Sequence, residues 1–185
     1  MAIGDSKTVG LQCCADKNGF RDDLLLMLRA HDQHNDVEFS GVLAVSGQTT
    51  ANIRALLPAF IAGQSVAPDF IFVNVGTNDI PWIRTGATTE SPWKADMGAI
   101  LDALHAEWPA AQILVTRPMV VTYEVETDRL DDEWMPDVLA TRSPWAVVGP
   151  DERDVLPGHI PDNFHADSAG YVLYAAELMR YMGVN

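Results

Sequence analysis

The chain reads as an α/β protein, a three-layer α/β/α sandwich around a central parallel sheet of about five strands. Two observations carry that reading. Short apolar runs alternate with amphipathic stretches from one end of the sequence to the other, and strands that alternate with helices pair in parallel under cover on both faces. The 185 residues also contain no internal repeat, low-complexity tract or linker. One domain over residues 1–185 is therefore expected, of a size that buries about 70% of the surface its unfolded chain exposes.

Taken in order, "MAIG" (1–4) is a stub of a first strand, and "FRDDLLLMLRAH" (20–31) has apolar positions at helical spacing. "VEFSGVLAVSG" (37–47) holds a second strand ending in Gly. "TTANIRALLPAFIAG" (49–63) reads as a helix with Thr near its start, which Pro58 is expected to kink or interrupt. "PDFIFVNVGTND" (68–79) is the clearest strand, a continuous apolar run of the kind buried on both faces of a parallel sheet. "SPWKADMGAILDALHAEW" (91–108) has Pro in its first turn and helical periodicity, and "AQILVTRPM" (111–119) is another buried strand. The acidic stretch 124–142 reads as part helix and part loop, with Trp134 in a segment that suits a lid. "WAVVG" (145–149) supplies the last strand, and "ADSAGYVLYAAELMRYMG" (166–183) the closing helix.

Charge narrows the partners. The net charge is −14, and the 31 positions from Glu124 to Asp154 carry ten acidic and three basic residues, a local charge of −7. Nucleic acid, whose affinity rests on Lys and Arg at phosphates, is not an expected partner, nor is an anionic membrane surface. No apolar run approaches the roughly 20 residues that span a bilayer, and no basic segment followed by an apolar stretch marks a signal peptide. A soluble protein is expected. The only cysteines, Cys13 and Cys14, are adjacent, a poor arrangement for a mutual disulfide, and read as free thiols.

In open parallel sheets, ligands bind beyond the carboxyl ends of the strands. The residues that follow the strands here are Gly4-Asp5-Ser6, Ser46-Gly47-Gln48 and Gly76-Thr77-Asn78-Asp79, while "PDNFHADSAGY" precedes the last helix. Acyl transfer needs a nucleophile, a base, an orienter for the base and donors for the oxyanion. Ser6 supplies a hydroxyl and His165 an imidazole. Asp162, three residues earlier, is close enough in a tight loop to hold the imidazole tautomer. Gly47 can present an unobstructed backbone N–H, and Asn78 an amide donor.

These residues resemble the SGNH hydrolases, also called GDSL-type esterases and lipases. Gly4-Asp5-Ser6 matches the first block, Gly47 in "AVSGQTT" the second, Gly76-Thr77-Asn78-Asp79 the third and Asp162-Asn163-Phe164-His165 the fifth. Four blocks in order over residues 4–165 are far more specific than any one of them. The resemblance implies a flavodoxin-like sheet, a triad of Ser6, Asp162 and His165, and an oxyanion hole of the Ser6 and Gly47 N–H groups with the Asn78 side chain. It implies ester hydrolysis through an acyl-enzyme, with no metal and no cofactor. The family's first strand is usually fuller, whereas only three residues precede Gly4 here, and Lys7 follows the serine directly.

Rival readings find less support. "GDSKT" is not a phosphate loop, because no Gly-Lys occurs, and the Gly-x-Ser-x-Gly elbow is absent. "HDQHND" (31–36) reads as a solvated helix end rather than a metal site. Asp5 and Asp79 are expected to shape their turns. Trp82, four residues after Asn78, is expected at the pocket rim, and His159 near the catalytic loop is a candidate for substrate contact. Without a segment that builds a large apolar cap, the favoured substrates are short acyl esters, including acetyl groups on carbohydrates. The alternatives are a lipase or thioesterase of the same family, or a non-catalytic carbohydrate-binding module on the same fold.

Overall fold

The computed structural model describes residues 1–10, 19–32, 37–118, 120–155 and 158–184. Cys13, Cys14, His34 and Asp36 lie outside the described residues. The strands are β1 (Ala2–Gly4), β2 (Val42–Ala44), β3 (Phe70–Asn74), β4 (Gln112–Arg117) and β5 (Ala146–Asp151). The helices are α1 (Ser6–Val9), α2 (Phe20–Asp32), α3 (Thr50–Ala62), α4 (Ile80–Thr85), α5 (Glu90–Glu107), α6 (Glu124–Asp128), α7 (Met135–Ala140), α8 (Glu152–Val155) and α9 (Ser168–Tyr181).

The five strands form one parallel sheet in the order β2-β1-β3-β4-β5, so the α/β class and the strand count agree with the sequence reading. The period-2 alternation of each strand divides the core. Ile71, Val73, Ile113 and Val115 face one layer, against Ile53 and Leu57 of α3 and Ile100 and Leu104 of α5. Phe72 and Leu114, between them in sequence, face the other layer, against Phe20 and Leu24 of α2 and Tyr174 and Leu178 of α9. Burying each of these side chains is worth about 1.5–3 kcal/mol, and that term seats the sheet between two helical layers.

The short first strand is interior to the sheet, between β2 and β3. Ala2, Ile3 and Gly4 pair with Val42, Leu43 and Ala44 on one side and with Phe72, Val73 and Asn74 on the other. Three residues suffice because neighbours on both edges saturate their backbone groups. In this strand order the crossovers change direction between β1 and β3, where ligands bind in such sheets.

Two elements differ from expectation. Pro58 does not interrupt α3, which runs without a break from Thr50 to Ala62. Ile53 and Leu57 make its buried face while Pro58 lies on the exposed side, where water can satisfy the carbonyl that loses its donor. The acidic segment is helical almost throughout. A 3₁₀ turn at Val121–Tyr123 leads into α6, a wide π-type turn at Arg129–Trp134 and then α7. Trp134 is 4% exposed and packs against Trp93 at 5.9 Å between ring centroids, so it belongs to the core and not to a lid. Its apolar area, in an otherwise charged stretch, is what draws the segment down.

Candidate active site

The turn after β1 is built by three residues. Gly4 has no space for a side chain, since a Cβ there would stand 2.0 Å from Thr8 Oγ1 and 2.6 Å from the Asn74 carbonyl oxygen. Asp5 then caps α1, its Oδ1 accepting the Lys7 N–H at 3.1 Å. Gly10, at φ 92°, ends the single turn and donates to the Ser6 and Lys7 carbonyls. Ser6 is thereby fixed as the first residue of a helical turn at the carboxyl end of β1.

Asp162 organises its own loop. Its Oδ1 accepts the backbone N–H groups of Phe164 at 2.9 Å and His165 at 2.6 Å, an Asx turn. Asn163 takes φ 73°, a conformation that Asn tolerates better than most residues, and its carbonyl accepts the Val121 N–H at 3.2 Å. The other oxygen, Oδ2, meets His165 Nδ1 at 2.7 Å, and His165 Nε2 meets Ser6 Oγ at 2.8 Å. One carboxylate therefore sets the backbone that aims the ring and also occupies the ring nitrogen remote from serine. Burial works against the Asp162 charge, but the His165 and Phe164 N–H groups and the His165 ring outweigh it and hold the carboxyl below its ordinary range.

Asn78 joins three strand ends. Its Nδ2 donates to Asp5 Oδ2 at 3.1 Å and to the Gln48 carbonyl at 3.0 Å, which places it beside the residue before Ser6 and the residue after Gly47. Both amide hydrogens thus have protein acceptors. Gly47 has φ 75°, and nothing lies within 4 Å of where its Cβ would stand. Among the described residues, neither the Ser6 nor the Gly47 backbone N–H donates to another protein group. Asp79 Oδ2 accepts the N–H and hydroxyl of Thr50 at 2.8 and 2.9 Å, tying the β3 loop to the start of α3. Asp5 acts on its own turn, whereas the bonds of Asp79 from Thr50 act on the start of α3. Burial is the leading influence on both and raises each from 3.8 to about 6.

The remaining candidates are placed differently. Trp82 is 52% exposed on α4. His159 Nδ1 contacts both oxygens of Asp167, at 3.0 and 3.2 Å, and Asp167 caps α9, so this histidine braces the entry to the last helix. Among the described residues, no three His, Cys, Asp or Glu side chains are grouped to hold a metal ion.

Sequence reasoning missed a buried polar group behind Ser6. Lys7 is 3% exposed and forms an ion pair with Glu152, which is 2% exposed. Asn74, the polar last residue of the apolar run of β3, was its one visible signal. Its Nδ2 lies within hydrogen-bonding distance of Thr116 Oγ1 at 2.6 Å, Glu152 Oε1 at 3.2 Å and Tyr174 Oη at 3.3 Å.

Residues 2–173 match the family described as the GDSL-like lipase/acylhydrolase family. Several solved structures are similar over nearly the whole chain. A lipase from a goat rumen metagenome is 20% identical, with 100% of this chain and 96% of that one covered at a TM-score of 0.74. An acetyl esterase variant with an acetate ion is 15% identical, with 98% and 94% covered and a TM-score of 0.74. The SGNH-hydrolase family esterase AlinE4 is 22% identical, with 98% and 90% covered and a TM-score of 0.64. No curated protein matches the chain in sequence.

Proposed function

The chain belongs to the GDSL-like lipase/acylhydrolase family, and from that premise we propose that it is a serine esterase of short acyl esters, acetyl groups on carbohydrates foremost. Ser6 Oγ attacks the ester carbonyl carbon while its proton passes to His165 Nε2. Asp162 holds the Nδ1 hydrogen and stabilises the imidazolium. The oxyanion accepts hydrogen bonds from the Ser6 N–H, the Gly47 N–H and Asn78 Nδ2, the last exchanging its bond to the Gln48 carbonyl for the new one. The carbonyl re-forms as the leaving alcohol takes the proton from His165. Water, deprotonated by His165, then attacks the acyl-enzyme and releases the acid and free Ser6. No metal or cofactor takes part.

The supporting observation is the unbroken chain of hydrogen bonds from Ser6 through His165 to Asp162, across 159 residues of sequence, at 2.8 and 2.7 Å. The apolar cavity of about 450 Å³ around Leu24, Leu28, Phe39 and Phe70 lies at the amino ends of β1 and β3 and so offers a long acyl chain no place beside Ser6. The acetyl esterase among the structural relatives points the same way. Exposed Trp82 offers a surface on which a sugar ring can stack.

A series of p-nitrophenyl esters of increasing acyl length tests this reading, with Ser6→Ala as the control. The expected result is kcat/KM highest for acetate and hydrolysis lost in Ser6→Ala, with an unchanged circular dichroism spectrum. Turnover retained in Ser6→Ala overturns the assignment of the nucleophile, and an optimum at long chains overturns the acyl preference. Glycan binding by a protein whose Ser6 does not react would make it a carbohydrate-binding module.

A further inference from the structure

Lys7 directly follows the proposed nucleophile, yet its side chain turns inward to Glu152. Glu152 opens α8, immediately after β5 and ahead of the segment that carries Asp162 and His165. Through Asn74, the ion pair connects to β3, to Thr116 on β4 and to Tyr174 on α9. One buried polar group thus joins the Ser6 turn to β3, β4, the start of α8 and the last helix. It also gathers charge beneath the site. The buried Asp5 carboxylate feels the Lys7 ammonium as a favourable neighbour and Glu152 as an unfavourable one. The buried Tyr171 hydroxyl feels Glu152, Asp5 and Asp162 together.

A buried ion pair is a weak source of stability, since apolar residues of similar volume often replace one without loss. What the pair does supply is a fixed direction. We propose that Lys7 and Glu152 are positioning residues that hold the Ser6 turn in register with the segment bearing His165 and Asp162, and that the Lys7 ammonium offsets the negative charge which Asp5 and Glu152 set beneath a forming oxyanion. The proposal rests on the esterase reading, in which Ser6 Oγ must stay within reach of His165 Nε2 and negative charge develops next to Ser6.

Three variants test it: Lys7→Met, Glu152→Gln, and the two combined. The combined variant strands neither member of the pair and leaves Asp5 as the one buried carboxylate that loses its cation, so its melting temperature is expected to stay near wild type even where Lys7→Met does not fold. Its kcat on p-nitrophenyl acetate and the rate at which a fluorophosphonate labels Ser6 should both fall at least tenfold, with KM changed less than twofold. Lys7→Met, where folded, should fall further, because it leaves two uncompensated carboxylates. A folded combined variant with wild-type kcat and labelling rate overturns the proposal, as does a deficit confined to KM. An unlabelled wild-type Ser6 refutes the esterase reading and this proposal with it, whereas labelled wild type with an equally reactive combined variant refutes this proposal alone.

Discussion

Asp79→Asn gives a stability measurement whose sign and size follow from the structure. The Asp79 carboxyl is raised from 3.8 to about 6, first by burial, which outweighs the bonds it accepts from Thr50. Between those values the folded protein keeps a proton that the unfolded chain has released. Unfolding therefore releases a proton, and the contribution of Asp79 to stability falls as pH rises through that window. Below it both states are protonated, and above it the penalty is constant. A shift of about 2 units at about 1.4 kcal/mol per unit amounts to about 3 kcal/mol. Asn cannot ionise, and because both Thr50 bonds land on one oxygen, Oδ2, an amide oxygen can keep them. Urea unfolding of both proteins, followed by tryptophan fluorescence across this pH range, isolates Asp79 in the difference between the two curves, since the other titrating groups are common to both. Wild type is expected to lose about 3 kcal/mol relative to Asp79→Asn as pH rises from below 3.8 to above about 6. A flat difference, or one in which wild type gains with pH, would show that the carboxylate is stabilised in its charged form and that burial does not govern it.

Asn78→Ala should lower kcat by about 10²–10³ if the amide receives the oxyanion, and a change confined to KM would make Asn78 a substrate-binding residue instead. Gly4→Ala forces a Cβ to within 2.6 Å of the Asn74 carbonyl and should cost about 3 kcal/mol or more in chemical unfolding; a loss under about 0.5 kcal/mol would show that the strand can shift to make room.

The sheet was legible because its strands are written as apolar runs, and because alternation with helices admits few topologies. The Ser6, Asp162 and His165 arrangement was legible for a different reason. Each residue lies in a short block whose local geometry is self-contained: Asp5 caps its own turn and Asp162 folds its own loop. Lys7 was not legible. Its partner is 145 residues away, and nothing in a run of five or six residues indicates which way a lysine turns. His159 was read toward the substrate, but the carboxylate it meets is the cap of α9, a contact that depends on how the loop returns. The acidic segment, read as part loop with Trp134 in a lid, misled because its apolar residues are scattered among charges, yet Leu130, Trp134, Met135 and Val138 are buried. Local pattern thus specifies elements and blocks, and long-range polar pairing must be seen in three dimensions.

The three residues of β1 have a bearing on how the protein matures. Their hydrogen-bonding partners lie about forty and seventy positions downstream, so β1 has nothing to join until much of the chain that follows it has been made. Such non-local pairing slows folding, and the serine attached to that strand meets its histidine only when the last helix is nearly made. Partly folded chains therefore carry no assembled Ser6–His165 pair, and under the proposed mechanism the onset of ester turnover during refolding is a direct clock for completion of the sheet and its last helix.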